Sequence, residues 1–180
     1  YFLLNNNNPI NFSVPTGNFG DVYAGYLSKK MGLPIDKLIV ATNQNDILHR
    51  AITNGSYNVE NVLETISPSM DIQIASNFER LIFDLNDHSD KKTIDVMKSI
   101  KEKGKYEIQK ESLDKINVDF LSSRMDENEI LNTIKTVYEK FDKVLEPHSA
   151  RGYGAFDKVN LKGNNVVLAT AHPCKFPGAI

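Results

Sequence analysis

Gly17-Asn18-Phe19-Gly20 stands where an alternating apolar segment gives way to a helical one. Two physical needs meet at such a place. The first N–H groups of a helix have no partner inside it, and the macrodipole leaves them partly positive. An anion is stabilised there, provided the backbone can come close, which glycine permits because it lacks a Cβ. Gly17 and Gly20 fit that demand, and Thr16 and Asn18 could add side-chain donors. Asp21 pulls the other way, since a carboxylate repels phosphate. Either its side chain turns away to cap the helix, or it fills the anion position itself and the turn is only structural. No Gly-Lys-Ser/Thr follows, so this is not a P-loop, and the G-x-G-x-x-G spacing is missing. From these residues alone, a phosphate site and a plain tight turn both remain open.

Other residues with chemical potential are scattered. Of His49, His88, His148 and His172, no pair has the i, i+4 spacing of a helical metal site, and Cys174 has no partner cysteine. No metal is therefore expected. Cys174 reads as a small apolar filler. Arg80 and Arg151 could each grip a carboxylate or phosphate with two nitrogens. Arg80 could equally pair with Glu79 or Asp84 nearby.

The elements that must position these residues come from periodicity. In Pro9–Pro15, Ile10, Phe12 and Val14 alternate with Asn11 and Ser13, which predicts a strand. After Gly20, Tyr23, Leu27 and Met31 recur every four residues and predict an apolar helical stripe. Gly32 and Pro34 end that helix. Lys37–Thr42 reads as a buried strand, and residues 45–55 as a short helix with an Asn/Asp start and a Gly stop. Strand, helix, strand, helix implies an α/β fold, mainly a parallel sheet with helices on both faces. Ser76-Asn77-Phe78-Glu79 has capping-box spacing and should open a helix running to about Leu85. Residues 86–146 are charge-rich and read as a helical region laid over the sheet, with Ile130, Ile134, Val137 and Phe141 on one face. Residues 165–170 read again as a buried strand, and Asn5–Asn8 as a loop.

Composition narrows the classes. The 180 residues carry 41% hydrophobic and 24% charged side chains, with a net charge of -2. There is no basic excess to suggest nucleic acid, and no run nears the ~18 apolar residues of a membrane span. One cysteine rules out an internal disulfide and fits a reducing compartment such as the cytoplasm. The chain opens on "YFLL" and stops at "KFPGAI", which reads as an excerpt of a longer protein.

Taken together, four stretches resemble threonine synthase, a pyridoxal-phosphate enzyme family of the tryptophan synthase β-like fold. They are "VPTGNFGDVYAGYLSKKMGLPI", "SPSMDIQIASNFERLIFDL", "VLEPHSARGYGA" and "VVLATAHPCKFPGAI". The third resembles the family's D-P-H-T-A-V-G stretch, with Glu146, Ser149 and Arg151 as departures. The fourth resembles T-A-H-P-A-K-F, with Cys174 replacing a small residue. The resemblance implies that residues 1–180 are part of a catalytic domain that binds pyridoxal 5'-phosphate. It implies a reaction of O-phospho-L-homoserine with water, giving L-threonine and phosphate. A serine/threonine dehydratase of the same fold, or a phosphate-binding module without catalysis, would be the alternatives.

Carried over position by position, the resemblance implies that Gly17, Asn18, Phe19, Gly20 and Asp21 hold the cofactor's phosphate. It implies that the Thr170 hydroxyl meets the pyridine nitrogen. Lys175 and Arg80 are candidates for substrate contacts. The family's Schiff-base lysine lies in a Phe-Lys-Asp segment that has no match here, and the lysines present fall mostly on polar helical faces, so this stretch alone is expected to be inactive. The resemblance says nothing about oligomeric state.

Overall fold

The computed structural model describes residues 8–179. Of the expected Asn5–Asn8 loop, only Asn8 falls among them. Four parallel strands form the main sheet in the order β5-β2-β1-β6: β1 (Ile10–Pro15), β2 (Ile35–Thr42), β5 (Phe120–Arg124) and β6 (Asn164–Val167). A separate antiparallel pair joins β3 (Ser56–Asn58) to β4 (Lys105–Glu107). The helices are α1 (Gly20–Lys30), α2 (Ile47–Asn54), α3 (Phe78–Leu85), α4 (Asp90–Lys103), α5 (Lys110–Asp119), α6 (Glu127–Phe141) and α7 (Pro147–Val159).

Both sheet faces are covered, as the strand–helix alternation implies. Leu38 and Val40 of β2 enter a core with Val22 of α1, Ile52 of α2, Phe78 of α3 and Ile116 of α5. Ile39 and Ala41, pointing the other way, pack with Ala155 and Phe156 of α7. Coverage on both sides explains why β1 is buried at every position but the half-buried Phe12, despite its alternating sequence. Phe12 and Val14 serve the first core. Asn11 and Ser13 face the second layer and are satisfied there: Ser13 Oγ donates to the Gly152 carbonyl at 2.6 Å, and Asn11 Nδ2 to Asn165 Oδ1 at 2.9 Å. Gly152 lets α7 approach, since a Cβ there would stand 2.9 Å from Val167 and 3.2 Å from Pro15.

Three expectations are corrected. Residues 86–146 are not all helical: β4 and β5 lie inside them, and β5 pairs with β2 as a full member of the main sheet. Leu27 and Met31 are 43% and 87% exposed, so the every-fourth-residue stripe on α1 does not face the core. Four residues advance a helix by about 400°, so such a line drifts off the buried face within two steps. α1 buries Val22 and Tyr23 instead. On α6, Ile130, Ile134 and Val137 are buried, while Phe141, at the last turn, is exposed.

Candidate functional site

In a parallel sheet the loops after the strands gather at one edge. Here they are Thr16–Phe19 after β1, Asn43–Asp46 after β2 and Leu168–Thr170 after β6. The β1–β6 register pairs Ser13 with Val167, so Thr16 and Thr170 each lie three residues past a paired position.

The turn after β1 is built from the inside. Phe19 adopts a left-handed φ of 68° and buries its ring against Phe78 at 5.1 Å and Phe120 at 5.6 Å. Its side chain is a core anchor, so only its backbone faces the turn. The strain of that φ is offset by aromatic packing. None of the N–H groups of Gly17, Asn18, Phe19 or Gly20 has a hydrogen-bond partner among the described residues. They lead into α1, an 11-residue helix that begins at Gly20, at its positive end. A Cβ on Gly17 would stand 3.0 Å from Ser69 O and 3.1 Å from Met70 Cα, while one on Gly20 would stand 2.9 Å from Asn77 Nδ2. The turn is held from outside as well: the Ser76 N–H and hydroxyl donate to Asn18 Oδ1 at 2.6 and 2.9 Å.

Several side chains differ from expectation. The Thr16 hydroxyl donates to Val14 O at 2.6 Å, so its proton is not offered to a ligand. The Asn18 donor, Nδ2, has no partner among the described residues and stays available, while its Oδ1 is taken up by Ser76. For that reason Ser76 does not cap α3, and the capping box expected at residues 76–79 does not form. Asp21 is exposed and makes no capping bond, so it neither caps α1 nor occupies the anion position by a hydrogen bond to the turn. Arg80 is exposed and pairs with neither Glu79 nor Asp84. Asp84 instead accepts from Tyr23 Oη at 3.1 Å and meets His88 Nε2 at 3.0 Å. Lys175 lies exposed on a short 3-10 turn, Pro173–Lys175. β6 is a half-covered edge strand, and Thr170 sits beyond its end, exposed, rather than closing a buried strand. The edge position leaves β6 covered from fewer sides than β1 or β2.

Thr170 is nonetheless fixed. Its N–H donates to Ser149 Oγ at 3.3 Å, and the Ser149 hydroxyl donates to Glu146 Oε1 at 2.5 Å. Glu146 is fully buried and caps α7, accepting from the His148 and Ser149 N–H groups at 2.8 and 2.6 Å and meeting His148 Nδ1 at 2.6 Å. Burial pushes its carboxyl up, but the bonds from His148 and Ser149 outweigh burial and hold it at about 2. A groove of about 780 Å³ runs alongside, lined by Glu146, Ser149, Ala169, Ala171 and His172 among others. Thr170 stands between two of those lining residues.

A second polar cluster lies under the turn, and pattern reading missed it. Asp71 Oδ1 accepts from Asn43 Nδ2 at 2.7 Å, Asn45 Nδ2 at 2.9 Å and Thr65 Oγ1 at 2.7 Å. Asn43 Nδ2 also donates to Ser67 Oγ at 3.2 Å. Arg151 Nη1 reaches the same Ser67 Oγ at 2.7 Å. The only signal in the sequence was a density of Asn, Ser, Thr and Asp at 43–46 and 65–71, which equally suits loops.

A parallel sheet with helices on both faces defines an α/β protein, and at its carboxyl edge the glycine turn opens into a helix N-terminus, the kind of place where an anion is stabilised. No family model matches the chain. It is, however, 43% identical to the threonine synthase of Pseudomonas aeruginosa over 171 residues, covering 94% of this chain and 36% of that protein. It is 40% identical to the threonine synthase of Saccharomyces cerevisiae over 190 residues, covering 95% and 37% respectively. Among solved structures, threonine synthase from Brucella melitensis with pyridoxal phosphate bound superposes at a TM-score of 0.94 and 44% identity, covering 99% of this chain and 39% of that one. The Escherichia coli enzyme superposes at 0.70 with 28% identity, covering 96% and 34%. The chain is thus a homologue of the threonine synthases, with their tryptophan synthase β-like fold, and it spans a little over a third of the length of these relatives.

Proposed function

We propose that the protein carrying this chain is a threonine synthase, a pyridoxal-phosphate lyase that converts O-phospho-L-homoserine and water to L-threonine and phosphate. The observation that carries this reading is the glycine turn. Its free N–H groups, without an intervening Cβ at Gly17 or Gly20, fit a phosphate dianion. The names of the relatives support the family and the cofactor, the sequence resemblance supports the reaction, and the open N–H groups of the turn support a seat for the cofactor's phosphate.

In this reading the N–H groups from Gly17 to Asp21 grip the phosphate end of pyridoxal 5'-phosphate. The Thr170 hydroxyl, which has no partner among the described residues, turns to the pyridine nitrogen. When bound, the cofactor supplies an electron sink for the substrate's amino-acid carbons. A neutral hydroxyl at the ring nitrogen tempers that sink, because it stabilises a protonated ring less than a carboxylate would. Ser149 and Glu146 hold Thr170 in place, and the Glu146 carboxylate stays ionised at neutral pH so that it keeps accepting. Lys175 and Arg80, exposed cations, are assigned to substrate contacts. No lysine is buried among the described residues, so none has the desolvated setting that imine chemistry needs. On this reading the 180-residue stretch is inactive by itself. Among the described residues no helix is long and apolar enough to cross a membrane, and the cytoplasm is the assigned compartment.

The test uses full-length protein. It should shift the absorbance of added pyridoxal 5'-phosphate and release phosphate from O-phospho-L-homoserine. Absence of both effects would refute the assignment.

A further inference from the structure

Arg151 stands where the resembling family stretch has valine, and it is among the largest fully buried side chains of the described residues. Nη1 donates to Ser67 Oγ at 2.7 Å and approaches Met70 Sδ at 3.3 Å. Nε and Nη2 are buried without a partner. Among the described residues, no carboxylate lies within ion-pair distance. Among the carboxylates that act on it Asp71 pulls most, and its oxygens are already committed to Asn43, Asn45 and Thr65. Burial lowers the guanidinium to about 10, against the pull of Asp71, Glu146 and Glu127, so the group is charged at neutral pH. An uncompensated buried charge costs several kcal/mol, and an anion close by reduces that cost.

The contacts of Arg151 lead to the cradle in two steps. Ser67 and Met70, which it holds, bracket Ser69, and Ser69 O and Met70 Cα form the wall that a Gly17 Cβ would strike. On its own helix, Arg151 lies two residues after Ser149, which holds Thr170, and next to Gly152, which packs on Pro15.

We propose that Arg151 is a positioning residue of the anion cradle, fixing the Ser67–Met70 segment against Gly17 and placing a buried cation behind the turn, so that the site favours phosphorylated ligands. This rests on reading the glycine turn as a phosphate site. Its effect falls on the phosphate end of a ligand and spares the ring.

Titrating full-length protein with pyridoxal 5'-phosphate and with pyridoxal tests it. The wild type should prefer the phosphorylated form. R151M should lose about tenfold or more in affinity for pyridoxal 5'-phosphate, the size expected of a charged hydrogen bond. Its affinity for pyridoxal should hardly move. R151K, which keeps the charge without the fork, should fall between. S67A cuts the same link from the other end and should reduce the preference in the same direction; it decides the matter alone if R151M does not fold. A wild type without any preference overturns the phosphate reading and this proposal together. A wild-type preference that survives unchanged in folded R151M, or in S67A, overturns this proposal and leaves the phosphate reading standing.

Discussion

Gly17 and Gly20 should answer the same substitution differently. An added methyl at Gly17 meets the backbone of Ser69 and Met70, which cannot yield without moving the whole segment. At Gly20 it meets the far end of the Asn77 side chain, which can rotate away. Gly17→Ala should therefore destabilise by about 1–3 kcal/mol, the range of overpacking, and weaken cofactor binding. Gly20→Ala should cost less on both counts; denaturant unfolding and cofactor titration would show the order, and equal costs would contradict it. Thr170 is exposed, so Thr170→Ala should leave unfolding unchanged while costing about 0.5–1.5 kcal/mol in cofactor interaction, one neutral hydrogen bond, with turnover affected most. Glu146 brings a pH dependence. Its folded value of about 2 lies below its ordinary 4.5, so it stabilises the fold above 4.5 and loses that contribution as pH falls from there towards 2. Acid unfolding of Glu146→Gln should be flatter across that window than that of the parent, whatever its stability at neutral pH. At this scale the glycine turn was legible because its requirements, free N–H groups and no Cβ, are properties of residue types. The Asn43–Asp71 cluster was not, because nothing local says that residues more than twenty positions apart will share one carboxylate.

Elements were legible where their signals were local. β1 and β2 announced themselves by alternation and by an apolar run, and α2 by its Gly55 stop, which takes a φ of 83°. β5 was hidden because Phe120–Arg124 is short and half polar, and its place beside β2 depends on a register set far away. Capping boxes show the same limit from both sides. The pattern at residues 76–79 is present, yet Ser76 bonds Asn18 instead, because tertiary contact outcompetes the local cap. The box on α6 forms fully: Asp126 Oδ1 accepts from Glu129 N at 2.9 Å, and Glu129 Oε2 from Asp126 N at 2.8 Å. Asp126→Ala should cost about 0.5–2 kcal/mol, measured by denaturant unfolding. A loss indistinguishable from zero would mean that packing of Ile130 and Ile134 alone fixes the start of α6.

For the molecule as a whole, the site is an outcome of folding rather than of any segment. The proposed cradle is residues 17–20, its wall is Ser69 and Met70, and Thr170 reaches the same sheet edge from a distant part of the sequence, held through Ser149. These pieces come together only when β1, β6 and α7 are packed, so on the proposed reading an unfolded chain offers no comparable phosphate site. A ligand that binds the folded state alone adds stability as RT ln(1 + [L]/Kd), about 2.7 kcal/mol at a hundred times Kd. Pyridoxal 5'-phosphate should therefore raise the unfolding midpoint of the full-length protein in a concentration-dependent way. Pyridoxal, at equal concentration, should raise it less, because it leaves the turn's N–H groups without their anion. Gly17→Ala should shrink the gap between the two ligands by distorting the segment that receives the phosphate. Calorimetry across a ligand series reads all three effects. A midpoint that rises equally with both ligands would place the binding energy in the ring and sever the link between the glycine turn and the stability of the fold.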